Sequence, residues 1–128
     1  MIKEKLADSE LEIMRVLWEN GKPMKASEIT KQLQKSKSWS KATVHVLLGR
    51  LENKGFVEAD RSGYYHYFSA LIKENDYLAN ETNRIAGRVG TSLHSMLASL
   101  IEADELSDED IIAISDMLNE KRKEIDKK

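Results

Sequence analysis

A mainly α protein with one small β-hairpin is what this sequence predicts, and three observations predict it. Apolar residues recur at three- and four-residue intervals through most of the 128 residues. The period changes once, after Gly55, to a run of aromatic and β-favouring residues split by Arg-Ser-Gly. Helical spacing then resumes at Ile72 and holds towards the end of the chain.

Each element follows in order. Asp8 or Ser9 is placed to cap a first helix through SELEIMRVLWEN. Its Leu11, Met14, Leu17 and Trp18 fall at helical spacing, and Gly21 is a natural stop. The single proline, Pro23, lies in the connection GKPMKAS. Ala26 or Ser27 opens a short second helix, SEITKQLQK, with Ile29 and Leu33 inward. After the polar turn SKSWS, Ser40 caps a third helix, KATVHVLLGRLENK, with Val44, Leu47, Leu48 and Leu51 inward and Gly55 as its stop. FVEADR then reads as a strand, RSG as a tight turn and YYHYFSAL as a second strand. On that strand Tyr65 and Tyr67 share one face, and Tyr64 and His66 the other. Trp18 and Trp39 are expected in the core.

Helix, helix, turn, helix, hairpin is the order of a winged helix-turn-helix. Residues 1–71 are therefore expected to form a DNA-binding domain, with the third helix presented to a groove and the hairpin as the wing beside it.

The remaining residues, 72–128, are expected to form a helical dimerisation domain. Leu78, Ile85, Val89, Leu93, Met96, Leu97, Leu100 and Ile101 make its first apolar stripe, with a bend or break at Gly87 and Gly90. Ser107 with Asp110 resembles a capping box with Asp in place of Glu, and opens a helix carrying Ile111, Ile114 and Leu118. Acids crowd its first turn and bases its last, as the helix dipole favours. The tail EKRKEIDKK is expected to fray. Two helices in about 57 residues make a thin core, so the stripe needs a partner surface. A second copy of the chain is the economical partner, with packing on the N-terminal domain as the alternative.

Charge separates the halves. Residues 1–70 carry 12 Lys and Arg against 9 Asp and Glu, and residues 71–128 carry 8 against 13. Between Lys31 and Arg61 there are 7 bases and 3 acids. Local sign governs contact with a phosphate backbone more than the overall charge of −2 does. The absence of cysteine excludes disulfides, thiolate metal sites and a cysteine nucleophile. The N-terminus has no signal-peptide pattern and no apolar run reaches membrane length, so a cytoplasmic protein is expected. His45, His66 and His94 are far apart in sequence and form no H-E-x-x-H pattern, and there is no phosphate-cradling glycine loop and no G-x-S-x-G. Neither an enzyme nor a bound metal or cofactor is expected.

The candidate DNA contacts follow from position. Ser40, Lys41, Thr43, His45 and Val46 occupy the N-terminal part of the third helix, the part that reaches base edges. Thr43 and Val46 offer methyl groups to thymine, and His45 donates to or accepts from a base edge. The alternatives are that Thr43 supports the helix start, Val46 is part of the core and His45 is merely exposed. Lys41 suits phosphate. Arg50, two helical turns beyond Thr43, is a phosphate clamp or the partner of an acid. Lys54 contacts phosphate or complements the helix dipole. Arg61 and Ser62 cap the wing and reach backbone or minor groove. Lys25 and Ser27, at the start of the second helix, meet phosphate.

The sequence also resembles the penicillinase repressors, the BlaI/MecI/CopY family. The matching pieces are ELEIMRVLW, the W-S-x-x-T-V of Trp39 to Val44, LGRLENKGFV, the YY-YFSAL strand and LIEADELSDEDI. The resemblance covers nearly the whole chain. It implies a homodimeric winged-helix repressor on double-stranded operator DNA with dyad symmetry. In the β-lactam branch it implies relief through a membrane sensor with a metalloprotease domain, which triggers cleavage in the dimerisation half. That branch is cleaved at Asn-Phe; the corresponding place here is Ser99-Leu100. The copper branch implies a cysteine-rich site, which this chain lacks. A same-family repressor of an unrelated operon without a protease, and a winged-helix protein-interaction module, are the other readings.

Overall fold

A computed structural model describes residues 5–128. The expected absence of a signal peptide rests partly on residues 1–4, which lie outside the described residues. The elements run α1 (Asp8–Asn20), α2 (Ala26–Leu33), α3 (Lys41–Asn53), β1 (Val57–Asp60), β2 (Tyr67–Ala70), α4 (Glu74–Val89), α5 (Leu93–Glu102) and α6 (Asp108–Asp126). The chain divides into two compact units, one ending at Glu81 and the other spanning Thr82–Lys128.

In the first unit, the cap of α1 falls one residue before Asp8 and two before Ser9, the two expected caps. Ala7 is the N-cap and has no side-chain acceptor to offer; instead Glu10, in the first turn, takes the Ala7 amide at 2.8 Å. Its inward stripe is Glu10, Ile13, Met14 and Leu17, with Val16 also buried and Leu11 and Trp18 half-buried at the core's edge. Ile29 and Leu33 of α2 and Val44, Leu47, Leu48 and Leu51 of α3 fill the same core, on the faces their spacing gives. Thr30 is buried but satisfied, its hydroxyl donating to the Ala26 carbonyl at 2.8 Å. Gly55 adopts φ 80°, a left-handed conformation disfavoured for side chains with a Cβ, and this turns the chain from α3 into the hairpin.

The hairpin is antiparallel with Val57 opposite Ala70 and Asp60 opposite Tyr67. Its tip is longer than a three-residue turn: residues 61–66 connect the strands, so Tyr64, Tyr65 and His66 belong to a loop and not to alternating strand faces. The local cause is Asp60, whose carboxylate takes the Ser62 amide and hydroxyl and folds the chain away from the ladder. Met24 adds a pairing absent from the sequence reading. It exchanges both backbone hydrogen bonds with Phe68, at 3.0 and 2.8 Å, and so fixes the entry to α2 against the hairpin.

The first part of α4 completes this core. Tyr77 is buried, with its ring 5.8 Å from Trp18 and 5.9 Å from Phe56, and Trp18 donates its indole N–H to the Ile72 carbonyl at 2.8 Å. Full burial of a side chain the size of Phe56 is worth about 1.5–3 kcal/mol.

The second unit is built differently. Three helices, not two, follow the hairpin. The break falls at Gly90 alone, which takes φ 80°; Gly87 stays inside α4. Ser92 then caps α5 by accepting the Ser95 amide at 3.0 Å. Ser107 caps α6 through the Asp110 amide at 3.1 Å. Helix continues to Asp126, where fraying is expected from the sequence; the pairs Lys123–Glu120 and Lys121–Glu124 at one-turn spacing accompany it. Neither α5 nor α6 buries a single residue.

Candidate nucleic-acid interface

The rotation of α3 is set at its first turn. Ser40 Oγ accepts the Thr43 amide at 3.2 Å, and the two hydroxyls also lie 3.2 Å apart. With four aliphatic residues committed to the core, Lys41, Thr43, His45 and Val46 face outward, and all are exposed. Val46 is 56% exposed, so it is not a core residue. Thr43 supports the helix start, the alternative weighed for it, and its side chain is also exposed. Arg50 is exposed further along the helix. Among the described residues it has no carboxylate in ion-pair contact, though its charge is felt at Glu10.

Two of the expected cations are already engaged. Lys54 donates to Glu10 Oε1 at 2.7 Å, tying the end of α3 to the start of α1. Burial pushes the Glu10 carboxyl up, but the Lys54 hydrogen bond, the Ala7 amide and the charges of Lys54 and Arg50 outweigh it, and the group is held below the usual carboxylate range. Arg61 makes paired bonds to both Glu52 oxygens at 2.8 Å each, tying the wing to α3. That guanidinium holds the Glu52 carboxyl down, and Glu52 raises Arg61 further. The Ser62 hydroxyl and amide lower Asp60 in the same way, and this hydroxyl is thereby occupied.

The other side of the wing closes on α2. Lys25 Nζ lies 4.3 Å from the centre of the Tyr65 ring, which meets Tyr64 edge-on at 4.8 Å. Ser27 is exposed in the first turn of α2. Between these parts lies an open hollow of about 210 Å³ that brings together Lys25, Ser27, Lys41, His45, Tyr65 and His66. The structure thus gathers Lys25, Ser27, Lys41 and His45 in one place, while Arg50, Lys54 and Arg61 lie outside its lining.

Sequence reasoning missed Glu10 and Glu52 as anchors and His66 as a neighbour of the third helix. Glu10 has a signal, an acid at the third helical position on an otherwise apolar stripe. The Glu52–Arg61 and Lys25–Tyr65 contacts join separate elements, and no periodicity encodes them.

Of the residues expected at a dimer contact, Leu78 lies in the first unit. Ile85, Val89, Leu93, Leu97, Leu100, Ile101, Ile111 and Leu118 are exposed, and Met96 and Ile114 half-buried. Ile112, Met117 and Ile125 are exposed beside them. Ser99 and Leu100 are consecutive within α5, with the Ser99 hydroxyl donating to the Met96 carbonyl at 2.7 Å. Among the described residues no cluster of three His, Asp or Glu is placed to hold a metal, and no helix is long and apolar enough to cross a membrane.

Three helices, a two-stranded wing and an outward-facing third helix define a winged helix-turn-helix protein. The chain belongs to the penicillinase repressor family, whose model matches residues 6–120. It is 31% identical to the penicillinase repressor of Bacillus licheniformis over 116 residues, 90% of each chain. It is 26% identical to the methicillin resistance regulatory protein MecI of Staphylococcus aureus (strain N315) over 117 residues, 91% of this chain and 94% of that one. The solution structure of monomeric Bacillus licheniformis BlaI in complex with the blaP half-operator aligns with 60% of this chain and 92% of its own, at 32% identity and a TM-score of 0.51. The family consists of DNA-binding repressors, not enzymes.

Proposed function

We propose that the protein is a cytoplasmic, homodimeric transcriptional repressor that binds operator DNA of dyad symmetry. The observation that carries this reading is the uncovered N-terminal face of α3, with Lys41, Thr43, His45 and Val46 all outward beside the wing. Thr43, His45 and Val46 read base edges in the major groove. Ser40, Lys41, Lys25, Ser27 and Arg50 fix the register on phosphate. Lys54, Arg61 and Ser62 serve this surface indirectly, because each is bonded within its own domain. The BlaI half-operator complex, whose protein is 32% identical to this chain, supports the DNA partner.

The second unit supplies the twofold. Its exposed apolar residues pair with those of a second copy, and two half-sites then lie about 34 Å apart or a multiple of that. Relief by proteolysis belongs to the same proposal, with a membrane sensor metalloprotease as the upstream partner and Ser99-Leu100 as the bond. That bond is inside a helix, so cleavage requires α5 to unwind locally. Intact mass after incubation with the cognate sensor protease would remove this part of the proposal.

The test of the central reading is selection of binding sites from a random duplex pool at near-physiological salt. A recovered dyad-symmetric motif is expected. No enrichment by folded protein would overturn DNA binding and favour a protein-interaction module. A motif found upstream of genes without a protease would instead assign the protein to an unrelated operon.

A further inference from the structure

The hollow between α2, α3 and the wing has a composition unlike the rest of the chain. The protein carries 22 acidic residues, yet none lines this hollow. Its polar lining is two lysines, two histidines, two tyrosines and a serine. Glu28, in the first turn of α2, is not part of the lining; its carboxylate accepts the Lys25 amide at 2.9 Å. Basic side chains come in from three elements: Lys25 from the entry to α2, Lys41 from α3 and His66 from the wing loop; Tyr64 and Tyr65 add hydroxyl groups, and His45 also lines the hollow but is assigned to base edges above. The hollow is held in shape by the Met24–Phe68 backbone pairing and by Lys25 lying over Tyr65.

The geometry points to a seat for the phosphate backbone of DNA, in which Lys25 and Lys41 take one phosphate and His66, from the wing loop, takes an adjacent one with a charge that depends on pH. The inference rests on the DNA-binding reading above and adds a residue and a regulation to it. Histidine is the side chain whose charge ordinarily changes between about pH 5 and 8. A charged imidazole on phosphate displaces one more counterion than a neutral one does. Each neutralised phosphate steepens the fall of log affinity with log salt by about 0.9. His66 therefore makes binding tighter and more salt-dependent as the pH drops, while Lys25 and Lys41 act at every pH in that range.

The experiment measures affinity for an operator duplex against salt at about pH 6 and about pH 8. The full-length protein is compared with H66Q, H45Q and K25M. His66 is exposed, so its substitution leaves the core intact. Wild type is expected to show a slope steeper by about one unit at the lower pH. H66Q should abolish that difference, H45Q should keep it, and K25M should flatten the slope equally at both pH values. A pH difference that survives in H66Q, or that vanishes in H45Q instead, overturns the role of His66. A second arm replaces the phosphates of the half-site one at a time with neutral methylphosphonate. One position should remove the wild-type pH difference. If none does, while inorganic phosphate alone shifts the His66 ring resonances, the hollow takes a free anion and the DNA assignment is overturned. Failure to bind any duplex at either pH overturns the DNA-binding reading itself, a result separate from binding without pH dependence.

Discussion

Lys54→Met is expected to destabilise the first unit, and the reason lies in the environment of its partner. Glu10 is 1% exposed, and Lys54 Nζ is 2.7 Å from its Oε1. The substitution keeps most of the aliphatic stem and removes the charge. Removing one partner of a buried pair costs about 3–5 kcal/mol, because the other charge stays desolvated. The Lys54 head is itself partly in water, which favours the lower end, about 3 kcal/mol. Urea slopes of about 1–3 kcal/mol/M turn this into a midpoint lowered by about 1–3 M with the slope unchanged. The only two tryptophans, Trp18 and Trp39, both pack against this core, so their fluorescence reports its unfolding. The combination Glu10→Leu with Lys54→Met removes both charges and should return to within about 1 kcal/mol of wild type. The pH dependence gives an independent check. In wild type the folded Glu10 carboxyl lies below its unfolded value, so it contributes stability above about pH 4.3 and loses it as the pH falls through the folded value. Without Lys54, its hydrogen bond and its charge no longer hold the carboxyl down, and the folded carboxyl moves up from its wild-type position. Acidification from about pH 7 towards pH 4 should then narrow the gap between variant and wild type. A gap that stays constant or widens over that range refutes the reasoning, as does a single substitution costing less than the double one.

Three further outcomes follow from the proposed function. Arg50→Ala should weaken all duplexes alike and reduce the salt slope by about one unit, measured by titration at several salt concentrations. His45→Ala should cost about 1–3 kcal/mol at one base pair per half-site and relax preference there alone; uniform weakening across a site-selection pool would count against base reading. Leu118→Asp, at a position 58% exposed, should leave Trp fluorescence unfolding of the first unit unchanged while sedimentation shifts from dimer to monomer, with operator affinity lower by about 10²–10⁴-fold.

Legibility in the sequence tracked the range of the interactions. The boundaries of α3 and its inward face followed from Ser40, Gly55 and a clean apolar stripe, all local features. The start of α1 did not, because Glu10 serves as both core residue and cap, and a charged residue on the buried face breaks the apolar pattern. The wing was found but its loop was misplaced. Tyr64 and Tyr65 have high β-propensity, yet the Asp60–Ser62 turn and the contact with Lys25 hold them outside the ladder. The cationic residues of the interface were visible as a local charge excess. Their division into open and engaged groups was not, since the partners of Lys54 and Arg61 are 44 and 9 residues away. The break after α4 was visible as two glycines, but only the backbone identified Gly90 as the one that turns.

The second unit poses a physical question that the first does not. A helix of 10 residues such as α5 is shorter than the ~12–15 at which isolated helices become marginal in water. Helical stability in proteins comes mainly from burying an apolar face, and α5 and α6 bury no residue. The apolar side chains needed for that burial are present along both helices, and in the proposed homodimer a second copy of the chain supplies the same side chains under a twofold. On this reading, dimerisation completes the fold of the second unit, and anything that unwinds α5 weakens the tether between two DNA-binding modules. Release from the operator then needs no change in α3 at all. Each module keeps its contacts, and the loss of effective concentration removes the affinity.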